Sequence, residues 1–108
     1  MAYVATELSA GDSFSDWIKP KQNAKIITLP SGFLDLIITG SWSGSLTLQK
    51  RYNHGTDENP DYTEIFDVDT ITINKCRMIE DYSECVEFRI GFKAGDYTSG
   101  TALVRMEQ

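Results

Sequence analysis

One histidine, two cysteines and three prolines are all that this 108-residue chain holds of those residue types. A single histidine, His54, must serve any Ser-His-Asp or Cys-His arrangement. It sits in Asn53-His54-Gly55, and neither cysteine lies in a recognisable nucleophile context. There is no G-x-S-x-G elbow either, so catalysis has no usable constellation and the chain is read as a non-enzyme. Two thiols, Cys76 and Cys85, are too few for a disulfide framework or a thiolate metal site. No stretch approaches the 18 apolar residues of a membrane-spanning helix. Basic residues are also scarce, ten against sixteen acidic, for a net charge of −6. A chain of that sign offers no electrostatic footprint to phosphate backbones or anionic membranes, so neither nucleic acid nor membrane is expected as a partner. Met1 to Ala10 lacks the basic and apolar regions of a secretory signal, and folding in the cytosol with reduced thiols is expected.

What is present is alternation. Leu34, Leu36 and Ile38 point one way, with Asp35 and Thr39 opposite; Phe66 and Val68 alternate with Asp67 and Asp69. Phe88, Ile90 and Phe92 alternate with Glu87 and Arg89, and Val104 and Met106 with Leu103 and Arg105. One apolar face per strand is the requirement of an antiparallel sheet resting on a core. Strands are predicted at 2–9, 13–18, 25–29, 33–40, 45–52, 63–70, 72–79, 85–93 and 101–107. Turn chemistry separates them at Gly11-Asp12, Pro30 to Gly32, Gly40 to Gly44, Asn53 to Asp61 and Ala94 to Gly100. Residues 1–108 therefore read as one all-β domain, a two-sheet antiparallel sandwich of about eight or nine strands, jelly-roll-like. Its expected core is Leu34, Leu36, Ile38, Leu46, Leu48, Phe66, Val68, Phe88, Ile90, Phe92, Val104 and Met106.

Several strands carry apolar residues on both faces: Phe33 and Ile37 opposite Leu34 and Leu36, Leu103 opposite Val104, Trp17 opposite Ile18. A two-layer monomer needs one such face, so self-association, as a dimer through sheet faces or an edge strand, is expected. Other polar clusters have ordinary readings. Asp67 and Asp69 share a strand face and, with Glu64 or Asp61, make a thin hard-cation or glycosidase-like set, but the spacing of a calcium loop is missing. No metal or cofactor is expected. Cys76 and Cys85 would lie nearly opposite in a hairpin centred on Asp81-Tyr82-Ser83.

The candidate contact residues are aromatic and acidic. Trp42, in Gly40-Ser41-Trp42-Ser43-Gly44, reads as a hairpin tip; Tyr97 lies in Gly95-Asp96-Tyr97-Thr98-Ser99-Gly100. Aromatics in turns serve as interface anchors, as sugar-stacking platforms, or as lids folded back over the end of a sandwich. Asp57, Glu58 and Asp61 form an acidic cluster in the long loop, suited to a polar rim. Should the aromatics not anchor a partner, the N-terminal arm, Met1 to Ser9, can add to a neighbour's edge.

Two segments carry a resemblance. Gly40 to Arg51 (GSWSGSLTLQKR) and Phe88 to Met106 (FRIGFKAGDYTSGTALVRM) resemble a group of roughly 100-residue structural proteins of tailed phages. The shared patterns are a G-x-W-x-G-T-V-T-L-Q-R hairpin and a C-terminal Y-R-x-G-x-K-x-G-D-Y-T-S-G-x-V-x-V-R-L. Ser45-Leu46 replaces Thr-Val here and Phe88 replaces Tyr; the acidic approach at Tyr62 to Thr70 also fits. The likeness spans about two-thirds of the chain, from Gly32 onward, in strand and turn motifs that speak to fold. It implies a virion protein, with a cement or decoration protein on the capsid surface as the leading case and the major capsid protein as its partner. A tail or head-completion role fits the same motifs. A carbohydrate-binding module using Trp42, Tyr97 and the Asn53 to Tyr62 loop is the expectation from a different class.

Overall fold

A computed structural model describes residues 3–22, 32–53, 63–81 and 86–108. They form seven strands: β1 (Tyr3–Leu8), β2 (Ser13–Phe14), β3 (Lys21–Gln22), β4 (Gly32–Asn53), β5 (Thr63–Ile71), β6 (Lys75–Asp81) and β7 (Val86–Glu107). All pairings are antiparallel and belong to one hydrogen-bonded sheet, in the order β1-β7-β4-β3, with β2 on β7 and both β5 and β6 on β4. The all-β antiparallel expectation holds. The predicted strand at 25–29 lies outside the described residues.

Two expected turns are not breaks in the chain. Gly40 to Gly44 lies inside β4 and Ala94 to Gly100 inside β7, each strand running 22 residues. Trp42 is thus no hairpin tip; it stands opposite Gly100 within the β4–β7 ladder. Glycines mark these places because the strands bend there without letting go of each other. Gly40, Gly44, Gly95 and Gly100 all have positive φ, and the register slips on both sides of Gly44.

The bend is large. Twenty-two residues of straight strand would reach about 70 Å, whereas the molecule's greatest extent is 43 Å. The ends of β7 come back to one place: Phe88 exchanges backbone hydrogen bonds with Ile18, while the Gln108 side-chain amide donates to the carbonyl of neighbouring Lys19 at 2.7 Å. Each long strand therefore has two arms. The first arm of the sheet holds β1, the end of β7 (102–107), the start of β4 (32–40) and β6. The second holds β2, the start of β7 (86–92), the end of β4 (46–53) and β5. β5 and β6 are joined through Thr72 to Asn74, beside the bend of β4, where Asn74 donates to the Gly40 carbonyl and accepts from the Trp42 indole N–H.

The inner face of both arms feeds one core. Leu34, Leu36, Ile38, Leu46, Leu48, Phe88, Ile90, Phe92, Val104 and Met106 are buried as expected, joined by Leu8, Ile18, Ile71, Ile79, Val86 and Ala102. Phe66 and Val68 are the correction, at 38% and 39% exposed. Their strand lies on the sheet edge, and its register slips so that Leu48 faces Asp69 while Gln49 faces Asp67. Val68 is the unpaired residue of that bulge, and alternation along β5 no longer tracks the core.

Candidate functional site

The two arms differ on their outer faces. On the second arm the middle of the outer face is covered from within the chain, while Ile65 on edge strand β5 stays exposed. Phe14 lies directly over Gly91, where an added Cβ would stand 2.6 Å from the Phe14 ring and 2.2 Å from the Ser13 carbonyl oxygen. The Arg89 guanidinium lies 4.1 Å from the Phe14 ring centre and 4.6 Å from that of Trp17; Arg51 caps Trp17 at 4.3 Å. Stacking of this kind holds planar cations over aromatic faces. Trp17, which gave its strand a second apolar face in the sequence, is met here by these two arginines of the same chain. The array continues sideways. Arg89 Nε donates to Gln49 Oε1 at 2.9 Å, Gln49 Nε2 to Asp67 at 2.9 Å, and Arg51 Nε to Glu87 at 3.0 Å. Burial beneath these groups, and then the neighbouring Arg51, lowers the pKa of Arg89, which remains a cation. Thr47 and Gln49, polar residues on this outer face, are buried for the same reason.

Asp67 and Asp69 do not share a face as expected: the bulge sets Asp67 opposite Gln49 and Asp69 opposite Leu48, neighbours on β4 that point opposite ways, and each carboxylate is engaged separately. Asp67 pairs with Lys93, and Asp69 with Arg77 while accepting from the Thr70 backbone N–H at 2.8 Å. The Lys93 ammonium first, and the Gln49 amide second, hold the Asp67 carboxyl below the ordinary carboxylate range. Among the described residues no group of three or more potential metal ligands gathers. A depressed carboxylate stabilises the fold above its unfolded pKa, and that contribution fades as pH falls through its folded value. Asp67→Asn should therefore narrow the gap between neutral and acid melting temperatures. The shift will be small, under about 1 kcal/mol, because the pair is half-exposed; equal acid sensitivity in both proteins would contradict the pairing.

On the first arm no described residue covers the outer face. Ala5, Ile37 and Leu103 line a shallow groove of about 390 Å³ with Thr6, Glu7, Thr39, Val104 and Arg105. Around it Leu103 is 43% exposed, Met78 57% and Tyr3 58%, with Ile37 and Phe33 half-buried. Cys76 is exposed opposite Ile37 in the β4–β6 ladder, so its thiol opens on this same face. Arg105 caps the Tyr3 ring at 4.5 Å and pairs with Glu107. Phe33, Ile37 and Leu103 were the residues that gave their strands a second apolar face in the sequence; the fold brings Ile37 and Leu103 together at this groove, with exposed Asp35 between Ile37 and Phe33 on β4. Tyr3 and Met78 lie on the same face at its two edges, with Glu107 and Asp35 in the row between them, and only the pairing of β1 with β7 and of β6 with β4 brings them there.

Trp42 and Tyr97 lie elsewhere, at the bend. Both rings pack edge-on against Phe92, with centroids at 5.8 and 5.1 Å and planes inclined at 66° and 71°. The Tyr97 hydroxyl donates to the Gly100 carbonyl at 2.9 Å. Each is half-buried and serves the bend itself. Asp57, Glu58, Asp61, His54 and Cys85 lie outside the described residues. No protein family, curated protein or solved structure matches the chain.

Proposed function

We propose that this chain is a structural protein of a tailed-phage particle, a cement or decoration protein that binds the outside of the capsid shell and strengthens contacts between capsomers. The observation that carries this reading is the outer face of the first arm, which no described residue covers. Leu103, Met78, Tyr3 and Ile37 place exposed or half-buried apolar side chains there, set among Asp35, Arg105 and Glu107. Uncovered apolar side chains of that kind mark contact surfaces. The phage-like segments at Gly40 to Arg51 and Phe88 to Met106 supply the particle.

The strand order supports the finer fold reading as well. With the two-residue β3 left aside and the arms of β4 and β7 counted separately, eight segments are ordered 1-8-3-6 in the first arm and 2-7-4-5 in the second. A jelly roll of two four-stranded layers has the same order. The two tilted rings at Phe92 weigh against a carbohydrate platform, which needs coplanar solvent-facing aromatics.

A decoration protein works by many modest contacts repeated over a symmetric shell, so loss of one contact per copy is multiplied by avidity. Particles stripped of the protein should rebind the wild-type chain. Leu103→Asp, which alters an exposed side chain and should fold normally, is expected to lower occupancy in competition at least about tenfold, the factor equivalent to roughly 1.4 kcal/mol per site. Trp42→Ala and Tyr97→Ala test the alternative anchors at the bend. Absence of the protein from purified particles by mass spectrometry would overturn the reading.

A further inference from the structure

We propose that β1 is a self-pairing edge, and that two copies of this chain join antiparallel through it, about a twofold axis at Ala5, into one continuous sheet. This stands apart from the particle reading, since a dimer in solution neither requires a shell nor implies one.

The case begins with the edges of the sheet. An exposed strand edge is a row of unpaired N–H and C=O groups, and monomeric proteins blunt such edges with charge, proline, bulges or brevity. The edge at the far side of the sheet is blunted. β6 carries Lys75, Arg77, Glu80 and Asp81 within seven residues. β5 carries Asp67 and Asp69 and the bulge at Val68. β2 and β3 are two residues long. β1 has none of these devices. Its sequence is Tyr-Val-Ala-Thr-Glu-Leu, six residues in unbroken register with β7, with one charge and no proline. Among the described residues no strand pairs with its outer side.

Symmetry then limits the register. A twofold axis perpendicular to the sheet keeps the inner faces of both copies on one side only if it passes through a residue, because side chains alternate. On Ala5, the axis sets Ala5 against Ala5, Val4 against Thr6, and Tyr3 against Glu7 of the second copy. The inner residues Val4 and Thr6 then stay on the core side, while Tyr3, Ala5 and Glu7 remain outside. Charge selects this register over an axis on Thr6, which would place Glu7 against Ala5. Glu7 is exposed and takes part in none of the ion pairs among the described residues. Opposite Tyr3 it would meet the ring on which the Arg105 guanidinium lies. Each dimer thus gains two such meetings, Glu7 of one copy with Tyr3 and Arg105 of the other. The outer faces of the two first arms also become one surface, so this face is doubled without being covered.

The full-length chain is the test object. Sedimentation velocity across the micromolar range should show a species of about 24 kDa, twice the 12.1 kDa of one chain. Ala5→Lys would put two like charges face to face on the axis and should weaken association at least about tenfold. Circular dichroism will check that this exposed substitution leaves the fold intact. Glu7→Arg should weaken it too, and Glu7→Arg with Arg105→Glu should restore it. In a Cys76→Ser, Cys85→Ser background, Ala5→Cys should form an intermolecular disulfide under mild oxidation, since residues facing each other across such a pair have Cα atoms about 4.5–5.5 Å apart, within the span of a disulfide. Glu7→Cys in the same background should not. A monomer throughout the concentration range overturns the proposal. So does a dimer that tolerates Ala5→Lys and fails to cross-link at position 5, which would locate the contact on another surface.

Discussion

Phe92→Ala is expected to cost about 4 kcal/mol of stability and to lower the melting temperature by roughly 15–30 °C. Phe92 is fully buried in β7, opposite Leu46, and its ring is the common neighbour of Trp42 and Tyr97. Truncation removes transfer energy, leaves a cavity between two bent strands, and ends both edge-on aromatic contacts, each of about 0.5–1.5 kcal/mol. The cavity sits where β4 and β7 turn, so the Trp42 and Tyr97 rings lose what fixes their orientation. Near-ultraviolet circular dichroism should weaken in the folded state as well as melt earlier. Phe66→Ala supplies the contrast. Its ring is 38% exposed and meets Tyr52 edge-on at 6.1 Å, so about 1 kcal/mol is expected. Equal losses from the two substitutions would return Phe66 from the sheet edge to the core.

That contrast locates what could and could not be read from the residues alone. Alternation identified ten of the twelve expected core positions, because a strand inside the sheet keeps one face inward along its whole length. It failed at Val68 because one inserted residue on an edge strand breaks the link between parity and face, and at Phe66 because that ring, on the inner side opposite Lys50, lies at the open edge of the sheet. Glycine clusters were read as turns at Gly40 to Gly44 and Ala94 to Gly100, since glycine announces an unusual φ but does not say whether the chain reverses or merely bends. Here it bends, and β4 and β7 stay paired from end to end. The outer face of the first arm was half legible. Phe33, Ile37 and Leu103 declared a second apolar face by their spacing, whereas Tyr3 and Met78 join them through long-range pairing that no local pattern encodes. The coverage of the other arm was less legible still, as nothing in the spacing of Arg51 and Arg89 announces two guanidinium groups over Trp17.

Gly100→Ala is expected to be nearly as damaging as Phe92→Ala, at about 3 kcal/mol or more, while Gly95→Ala should cost about 1–2 kcal/mol. Both glycines have positive φ, +81° and +87°, so both substitutions incur the left-handed penalty of a side-chain-bearing residue. Only their surroundings differ. An added Cβ at Gly95 meets nothing within 4 Å. At Gly100 it would stand 2.2 Å from the Ser41 carbonyl oxygen and 2.8 Å from the Trp42 Cα. Those atoms are backbone, and no rotamer change can move them aside. The β4–β7 ladder must open at the Trp42–Gly100 pair, and that opening also pulls on the Tyr97 hydroxyl, which donates to the Gly100 carbonyl. The two arms are held together across this bend, so a ladder forced apart there loosens the approach of β7's end to Lys19. Chemical denaturation of both variants separates backbone strain, common to the two, from the steric contact that only Gly100 has. Equal costs would mean that β4 and β7 are not in close contact at the bend, and that the sheet folds over at some other point.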